Sequence, residues 1–204
     1  MSTKTHWEGI YSTKAPEAVS WYAAHLQTSL ELIERAAGGT AASIVDVGGG
    51  ESTLVDDLIA RGYSNVTVLD ISGVAIAATK LRLGSASERV HWIVGNITQA
   101  PLARGAFDVW HDRAVFHFLT EASQRAAYVR SVAHSVRRGG HVIVGAFGPE
   151  GPTNCSGLPV MRYDAESLHD EFGGRFRLVA SSKELHHTPV GATQQFLYCF
   201  CRVE

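Results

Sequence analysis

The chain has 204 residues, with 18 basic and 20 acidic side chains and a formal net charge of −2. That length suits one domain with a proper core, and the near-neutral balance provides no general attraction to nucleic acid or to an anionic membrane. No apolar run approaches the roughly eighteen residues of a membrane span, Met1 to Trp7 lacks the apolar core of a signal peptide, and the cysteines Cys155, Cys199 and Cys201 lack the spacing of a metal site or a disulfide framework. The expectation is a cytoplasmic protein with reduced thiols, no metal and no membrane or nucleic-acid partner.

Residues 1–15 read as an arm, with Trp7, Tyr11 and Lys14 in a polar setting. Pro16 opens a helix whose apolar positions Val19, Tyr22, Leu26, Leu30, Ile33 and Ala37 keep a three-to-four spacing up to the stop at Gly38-Gly39. Ile44 to Val47 is a short buried strand, cut off by Gly48-Gly49-Gly50 and followed by a helix over Glu51 to Arg61. Val66 to Leu69 is the next strand, with Asp70 at its carboxyl end. A helix over Gly73 to Leu83 and a strand over Val90 to Val94 follow, leading into Gly95-Asn96-Ile97-Thr98. Phe107 to Trp110 is a fourth strand that delivers His111-Asp112-Arg113 to its end, and Phe116-His117-Phe118 forms a helical turn after it. A helix over Arg125 to Val136 stops at Arg137-Arg138-Gly139-Gly140, and His141 to Phe147 is strand five. The prolines and glycines of residues 148–163 predict a long irregular loop, a length usually functional in a compact domain. Asp164 caps a helix over Ala165 to Phe172. Phe176 to Ser181 is strand six, Leu185 to Pro189 a polar hairpin, and Gln194 to Arg202 a terminal strand with Leu197, Cys199 and Cys201 on one face.

The glycine turn carries the chemistry. Glycines after a buried strand let a ligand lie against bare backbone, the following helix aims free N–H groups at it, and a carboxylate ending the next strand can accept from both hydroxyls of a ribose. A phosphate loop is excluded, because no lysine follows the glycines. A dinucleotide fingerprint is weakened by Thr53 where its third glycine belongs. S-adenosylmethionine (SAM) suits the pattern better: it has a ribose for Asp70 but no pyrophosphate, and the acidic Asp46 suits a ligand bearing an ammonium and a sulfonium.

Asp46-Val-Gly-Gly-Gly50, with Asp70 at ribose-binding distance, resembles the first motifs of the class I SAM-dependent methyltransferases. The resemblance covers nearly the whole chain. It implies one domain over residues 1–204, with a Rossmann-like, doubly wound α/β sheet of seven strands, mostly parallel with an antiparallel last strand, and helices on both faces. Residues 1–38 would cap the cofactor and substrate mouth, and residues 148–163 would form a substrate lid. By resemblance, Asp46, Gly48, Gly49, Gly50, Asp70, Ile71, Asn96, Ile97 and His111 are the expected cofactor contacts. Asn96 stands where the family often has an acid for the adenine amino group; its side-chain oxygen can accept the same bond. Trp7, Tyr11, Trp21, Arg113, Cys155, Arg162 and Tyr163 are candidates for the substrate pocket. If a base is needed, His111, Asp112 and His117 are its candidates in that order, although His117 between two phenylalanines also reads as a hydrogen-bonded structural residue and His111-Asp112-Arg113 as a local ion pair.

The reaction implied is in-line displacement at the methyl carbon, the protein supplying alignment. The Asn/Asp-Pro-Pro-Tyr motif of methyltransferases acting on amino groups of nucleic-acid bases and glutamine does not follow strand four. A small-molecule acceptor is expected from the cap and lid, with a protein lysine acceptor and a SAM-binding regulator without turnover as alternatives. The residues leave the acceptor atom and the oligomeric state open.

Overall fold

The computed structural model describes residues 3–204; Met1 and Ser2 of the expected arm lie outside them. The central element is a seven-stranded sheet built from β1 (Ser43–Val47), β2 (Asn65–Asp70), β3 (Val90–Val94), β4 (Phe107–Arg113), β5 (Val136–Phe147), β8 (Phe176–His187) and β9 (Thr193–Val203). Its order is β3-β2-β1-β4-β5-β9-β8. The first five strands pair in parallel, and β9 runs antiparallel to both β5 and β8. This is the expected doubly wound sheet with an antiparallel last strand.

Helices cover both faces. On one side α2 (Gln27–Ala37) and α3 (Leu54–Ala60) press Leu30, Ile33, Leu54 and Leu58 onto Ile44, Val109 and Phe200. On the other, α5 (Ala122–Ser135) and α6 (Ala165–Phe172) press Tyr128, Val132, Leu168 and Phe172 onto Trp110, Val142 and Leu197. The alternation read in the last strand appears as two faces: Leu197, Cys199 and Cys201 join the second core, and Phe196, Tyr198 and Phe200 the first. A fourth crossover helix, α4 (Gly73–Leu83), follows β2 and matches its predicted span.

Four expectations about elements are corrected. The arm is a helix, α1 (Thr3–Thr13), whose Trp7 is buried. Trp7 and Tyr11, one turn apart, form an aromatic stripe that meets Trp21 and Phe118, at ring-centroid distances of 5.8 Å and 5.1 Å from Trp7. The helix expected from Pro16 to Ala37 is a single 3₁₀ turn at Pro16–Ala18, then irregular chain, with α2 beginning only at Gln27. The physical reason is that side chains take its carbonyls: His186 binds that of Ser20 (2.8 Å), Arg113 that of Trp21 (3.2 Å) and Thr53 that of Ala23 (2.9 Å). The 148–163 loop contains a small hairpin of β6 (Asn154–Cys155) and β7 (Leu158–Pro159). The polar segment after strand six continues β8 to His187, because β9 pairs with it from Phe176↔Val203 to His187↔Thr193. Boundaries also shift: α3 begins at Leu54 instead of Glu51, and β5 begins at Val136, so the expected Arg137–Gly140 helix stop lies within a strand.

Candidate active site

The carboxyl ends of the parallel strands open into a cleft, the usual ligand crevice of open α/β sheets. Its main lobe, about 950 Å³, is floored by Gly48, Asp70 and Asn96 and roofed by Trp7 and Tyr11 of α1 and by Trp21. A second lobe, about 510 Å³, shares Gly48, Tyr11, Trp21 and Arg113 with the first and runs under Tyr22 and Ala23 to Asp46, Gly49, Glu51 and His111.

The glycine turn brings these groups together. Gly48 has φ +73°, and a Cβ there would run into the Val115 side chain. A Cβ on Gly49 would run into Asp46 Oδ2. Gly50 N–H donates to Asp70 Oδ2 (3.0 Å), and Ser72 N–H donates to Asp70 Oδ1 (2.7 Å). One lone pair on each oxygen is so used, and one remains on each for hydroxyl donors from the main lobe. Burial holds the Asp70 carboxyl up at about 6, against the lowering by those two N–H bonds.

In the second lobe, two buried carboxylate oxygens, Asp46 Oδ2 and Glu51 Oε2, have no hydrogen-bond partner. Buried polar atoms are rarely left so, and two acidic oxygens in one lobe fit a cationic donor. Burial also pushes the Glu51 carboxyl up. Asp46 is held from behind. β1 and β4 pair Asp46 with His111 across the sheet, and His111 Nδ1 lies 2.7 Å from Asp46 Oδ1, with Nε2 2.9 Å from Ser29 Oγ. Ser29 is 3.3 Å from the Tyr198 hydroxyl, which accepts from Arg113 Nε at 3.0 Å. One consistent direction satisfies the chain: Tyr198 donates to Ser29, Ser29 to His111 Nε2, and His111 Nδ1–H to Asp46. Arg113 completes it, donating to the Trp21 carbonyl (3.2 Å) and to Glu184 (3.2 Å), with its guanidinium 4.1 Å from the Phe196 ring centroid. A single buried network thus orients the second lobe's acid and anchors the Trp21 segment over the cleft.

A separate latch fixes α1. Glu8 accepts from Ser72 Oγ (3.0 Å), Gly73 N–H (3.0 Å) and Val74 N–H (3.1 Å), capping α4 from outside its own sequence. These donors hold the Glu8 carboxyl below the usual glutamate range, although burial opposes them as the largest single influence.

The expected site residues divide. Trp7 and Cys155 line the main lobe, together with Asp70, Ile71, Asn96 and Ile97; Asp46, Gly49 and His111 line the second, and Tyr11, Trp21, Gly48 and Arg113 both. Gly50 acts one step back, through its bond to Asp70. The Asn96 side-chain oxygen accepts from both Thr98 N–H (3.0 Å) and Thr98 Oγ1 (2.9 Å). The acceptor expected for an adenine amino group is therefore committed within its own loop.

Asp112 points away from the cleft. Its carboxylate accepts from Val115 N–H (2.8 Å), Phe116 N–H (3.1 Å) and the Tyr128 hydroxyl (2.6 Å) on the α5 side, and burial pushes it up to about 6. It orders the loop after β4. His117 is fully buried, accepts Phe147 N–H at Nδ1 (3.3 Å) and is pushed down to about 3 by desolvation. The geometry therefore gives neither residue the access of a base. Arg162 spends its guanidinium on the carbonyls of Pro149 and Gly151, and Tyr163 packs in the α5–α6 core with its hydroxyl toward Glu171. Both serve the loop and core and do not line the pocket. Sequence reasoning missed Glu8, Ser29, Glu51 and Tyr198. Glu51 stood directly after the glycines, and Ser29 was the polar residue on the inward side of α2; the roles of Glu8 and Tyr198 depend on contacts 64 or more positions away.

The comparisons agree with this fold. Residues 44–140 match the family model described as a methyltransferase domain. No curated protein sequence matches the chain. Among solved structures, the protein described under conversion of a disulfide bond into a thioacetal group during echinomycin biosynthesis superposes with TM-score 0.81 at 17% identity, covering 100% of this chain and 93% of the other. The N-methyltransferase NodS of Bradyrhizobium japonicum, in complex with S-adenosylhomocysteine, gives 0.75 at 15%, covering 100% and 99%. The Burkholderia thailandensis 1,6-didemethyltoxoflavin-N1-methyltransferase, with its substrate and S-adenosylhomocysteine bound, gives 0.69 at 20%, covering 89% and 78%. Residues 44–140, from β1 to the start of β5, thus match a methyltransferase domain, and the whole sheet has the class I SAM-dependent methyltransferase fold.

Proposed function

We propose that this protein transfers a methyl group from SAM to a small-molecule acceptor. The observation that carries the proposal is the matched polarity of the two lobes. Asp70 retains acceptor capacity for two ribose hydroxyls in the main lobe. Asp46 Oδ2 and Glu51 Oε2 provide unpartnered buried acceptors for an ammonium in the second. The ends of one SAM molecule differ in just this way. When bound, SAM supplies a methyl carbon already activated by its sulfonium.

The chain's own residues then have three tasks. Gly48 and Gly49 keep side chains out of the narrow passage between the lobes. Tyr11 and Trp21 border both lobes, so their aromatic faces flank the passage where the sulfonium would lie. α1 and the Trp21 segment, latched by Glu8 and Arg113, exclude water from it. A roof of this kind favours an acceptor that fits wholly inside over a lysine presented on another protein. The structural neighbours named for N-methylation and for toxoflavin chemistry are in keeping with a small acceptor.

Isothermal titration with S-adenosylhomocysteine tests the cofactor, with NADH as the competing ligand. Binding of the former and silence from the latter is the expected result; the reverse would return the chain to the dehydrogenase reading. Methyl-labelled SAM with cell extract split by ultrafiltration tests the acceptor. Label is expected in the small-molecule fraction. Label on a protein band would instead establish lysine-type modification, and binding without transfer a regulator.

A further inference from the structure

The main lobe also constrains the acceptor's chemistry, provided that the methyl-transfer reading holds. Beyond the ribose end, its walls are Trp7, Trp21, Phe118 and Leu119, with Tyr11 and Cys155 between them. Three of these rings pack on one another edge to face: Trp7 meets Trp21 at 5.8 Å and Phe118 at 5.1 Å. The ionisable groups among the described lining residues are Tyr11, Asp70, Arg113 and Cys155. Asp70 belongs to the ribose end. Burial raises both the Tyr11 phenol and the Cys155 thiol above their ordinary ranges. Arg113 is a permanent cation. His111 has both ring nitrogens engaged, and Asp112 and His117 lie outside the lining. The cleft therefore offers an acceptor apolar surface, with the Arg113 charge paired to Glu184 and no group placed to take its proton.

An acceptor in such a site must arrive with its lone pair free. At pH 7.5 an alkyl thiol is about one-tenth thiolate, a phenol roughly one part in 300 phenolate, and a lysine-like amine about one part in 1,000 neutral. A protonated amine would also be repelled by the sulfonium. A carboxylate is ionised but strongly hydrated and needs donors, whereas Arg113 directs its bonds to Tyr198, Trp21 and Glu184. A sulfur nucleophile is polarizable and makes favourable contacts with aromatic rings.

We infer that the acceptor is a small thiol on an apolar or aromatic body, received as its thiolate in the cage of Trp7, Trp21 and Phe118. The thiol gives its proton to solvent before binding. A sulfur lone pair then forms the new S–CH₃ bond as the methyl–sulfonium bond breaks, and the released pair leaves neutral S-adenosylhomocysteine.

The test uses the full chain with benzenethiol, 4-nitrobenzenethiol and benzyl mercaptan, against benzylamine, phenol and benzoate. Tryptophan fluorescence in the presence of S-adenosylhomocysteine reads binding, and mass spectrometry of labelled products reads transfer. Thiol binding should strengthen about tenfold per pH unit up to the thiol's own pKa, and the midpoint of kcat/KM against pH should move with that pKa from one thiol to the next. Methylation of the thiols should exceed that of the amine by about 100-fold and that of the phenol by about 30-fold, the ratios of free lone pairs. The inference is overturned if an analogue is methylated as fast as the thiols. A pH midpoint indifferent to the thiol, or a protein that binds S-adenosylhomocysteine but none of the thiols, would overturn it equally. Failure to bind S-adenosylhomocysteine would refute the underlying methyl-transfer reading.

Discussion

Replacing Glu8 by alanine removes three hydrogen bonds at once, those from Ser72 Oγ, Gly73 N–H and Val74 N–H. An N-cap lost to alanine costs about 1 kcal/mol, and a carboxylate at a helix N-terminus contributes a further 0.3–1 kcal/mol or so. Discounted for the solvent that reaches Glu8, the latch holds α1 closed by about 1.5 kcal/mol. α1 provides Thr3, Trp7 and Tyr11 to the cleft. If ligand binding requires the closed helix, the lost ~1.5 kcal/mol weakens S-adenosylhomocysteine binding by about twofold where the unlatched helix is half open and by up to about tenfold where it is almost wholly open. Isothermal titration of wild type, Glu8→Ala and Glu8→Gln measures this, with hydrogen exchange over residues 3–13 as the structural readout. Glu8→Gln, which keeps an acceptor but no charge, should fall between the other two. Wild-type affinity in Glu8→Ala with faster exchange over residues 3–13 would refute the claim that the ligand reads helix closure. Unchanged exchange would refute the latch itself.

Two further outcomes follow from the same geometry. Gly49→Ala places a Cβ against Asp46 Oδ2 and 2.9 Å from Val68 Cγ1. Overpacking of this kind costs about 1–3 kcal/mol and turns the second lobe's acid aside, so titration should show S-adenosylhomocysteine binding weakened at least about tenfold, while Gly174→Ala, with open space around it, should bind normally. His117 concerns stability against pH. Its folded value of about 3 lies below the ordinary 6.5, so as pH falls through 6.5 the unfolded chain takes a proton that the folded one refuses. The stability it contributes is thus present above pH 6.5 and declines by about 1.4 kcal/mol per pH unit below it. In urea unfolding, the advantage of wild type over His117→Gln should shrink by about 2 kcal/mol between pH 7 and pH 5; a gap that stays constant would mean that His117 is not buried neutral.

The glycine turn and the acid that follows it were legible in the sequence because their determinants are local. A β-branched strand, three glycines and an acid about twenty residues later form one βαβ unit, and each part works through backbone geometry within that unit. Period-two alternation in Thr193–Val203 likewise reported two covered faces, since a strand's side chains must alternate whatever packs on them. The helix expected from Pro16 failed for the opposite reason: its apolar spacing was sound, but Thr53, Arg113 and His186, distant in sequence, take the carbonyls a helix would need.

Roles at the site follow the same division. His111, Asp112 and Arg113 are consecutive, and the sequence marked all three as polar residues at a strand end. Alternation then sends them apart. His111 faces Asp46 and Ser29, Asp112 turns to Tyr128 on the opposite face, and Arg113 reaches β8 and the Trp21 segment. The sequence by itself determined the sheet, the glycine turn and the acids at the ends of the first two strands, because short-range backbone preference and hydrophobic period dictate them. Only the tertiary structure decided which acids keep a free oxygen, which histidine is sealed in core and which helix closes the cleft. Those outcomes depend on burial and on partners brought from opposite ends of the chain, and no local pattern encodes either.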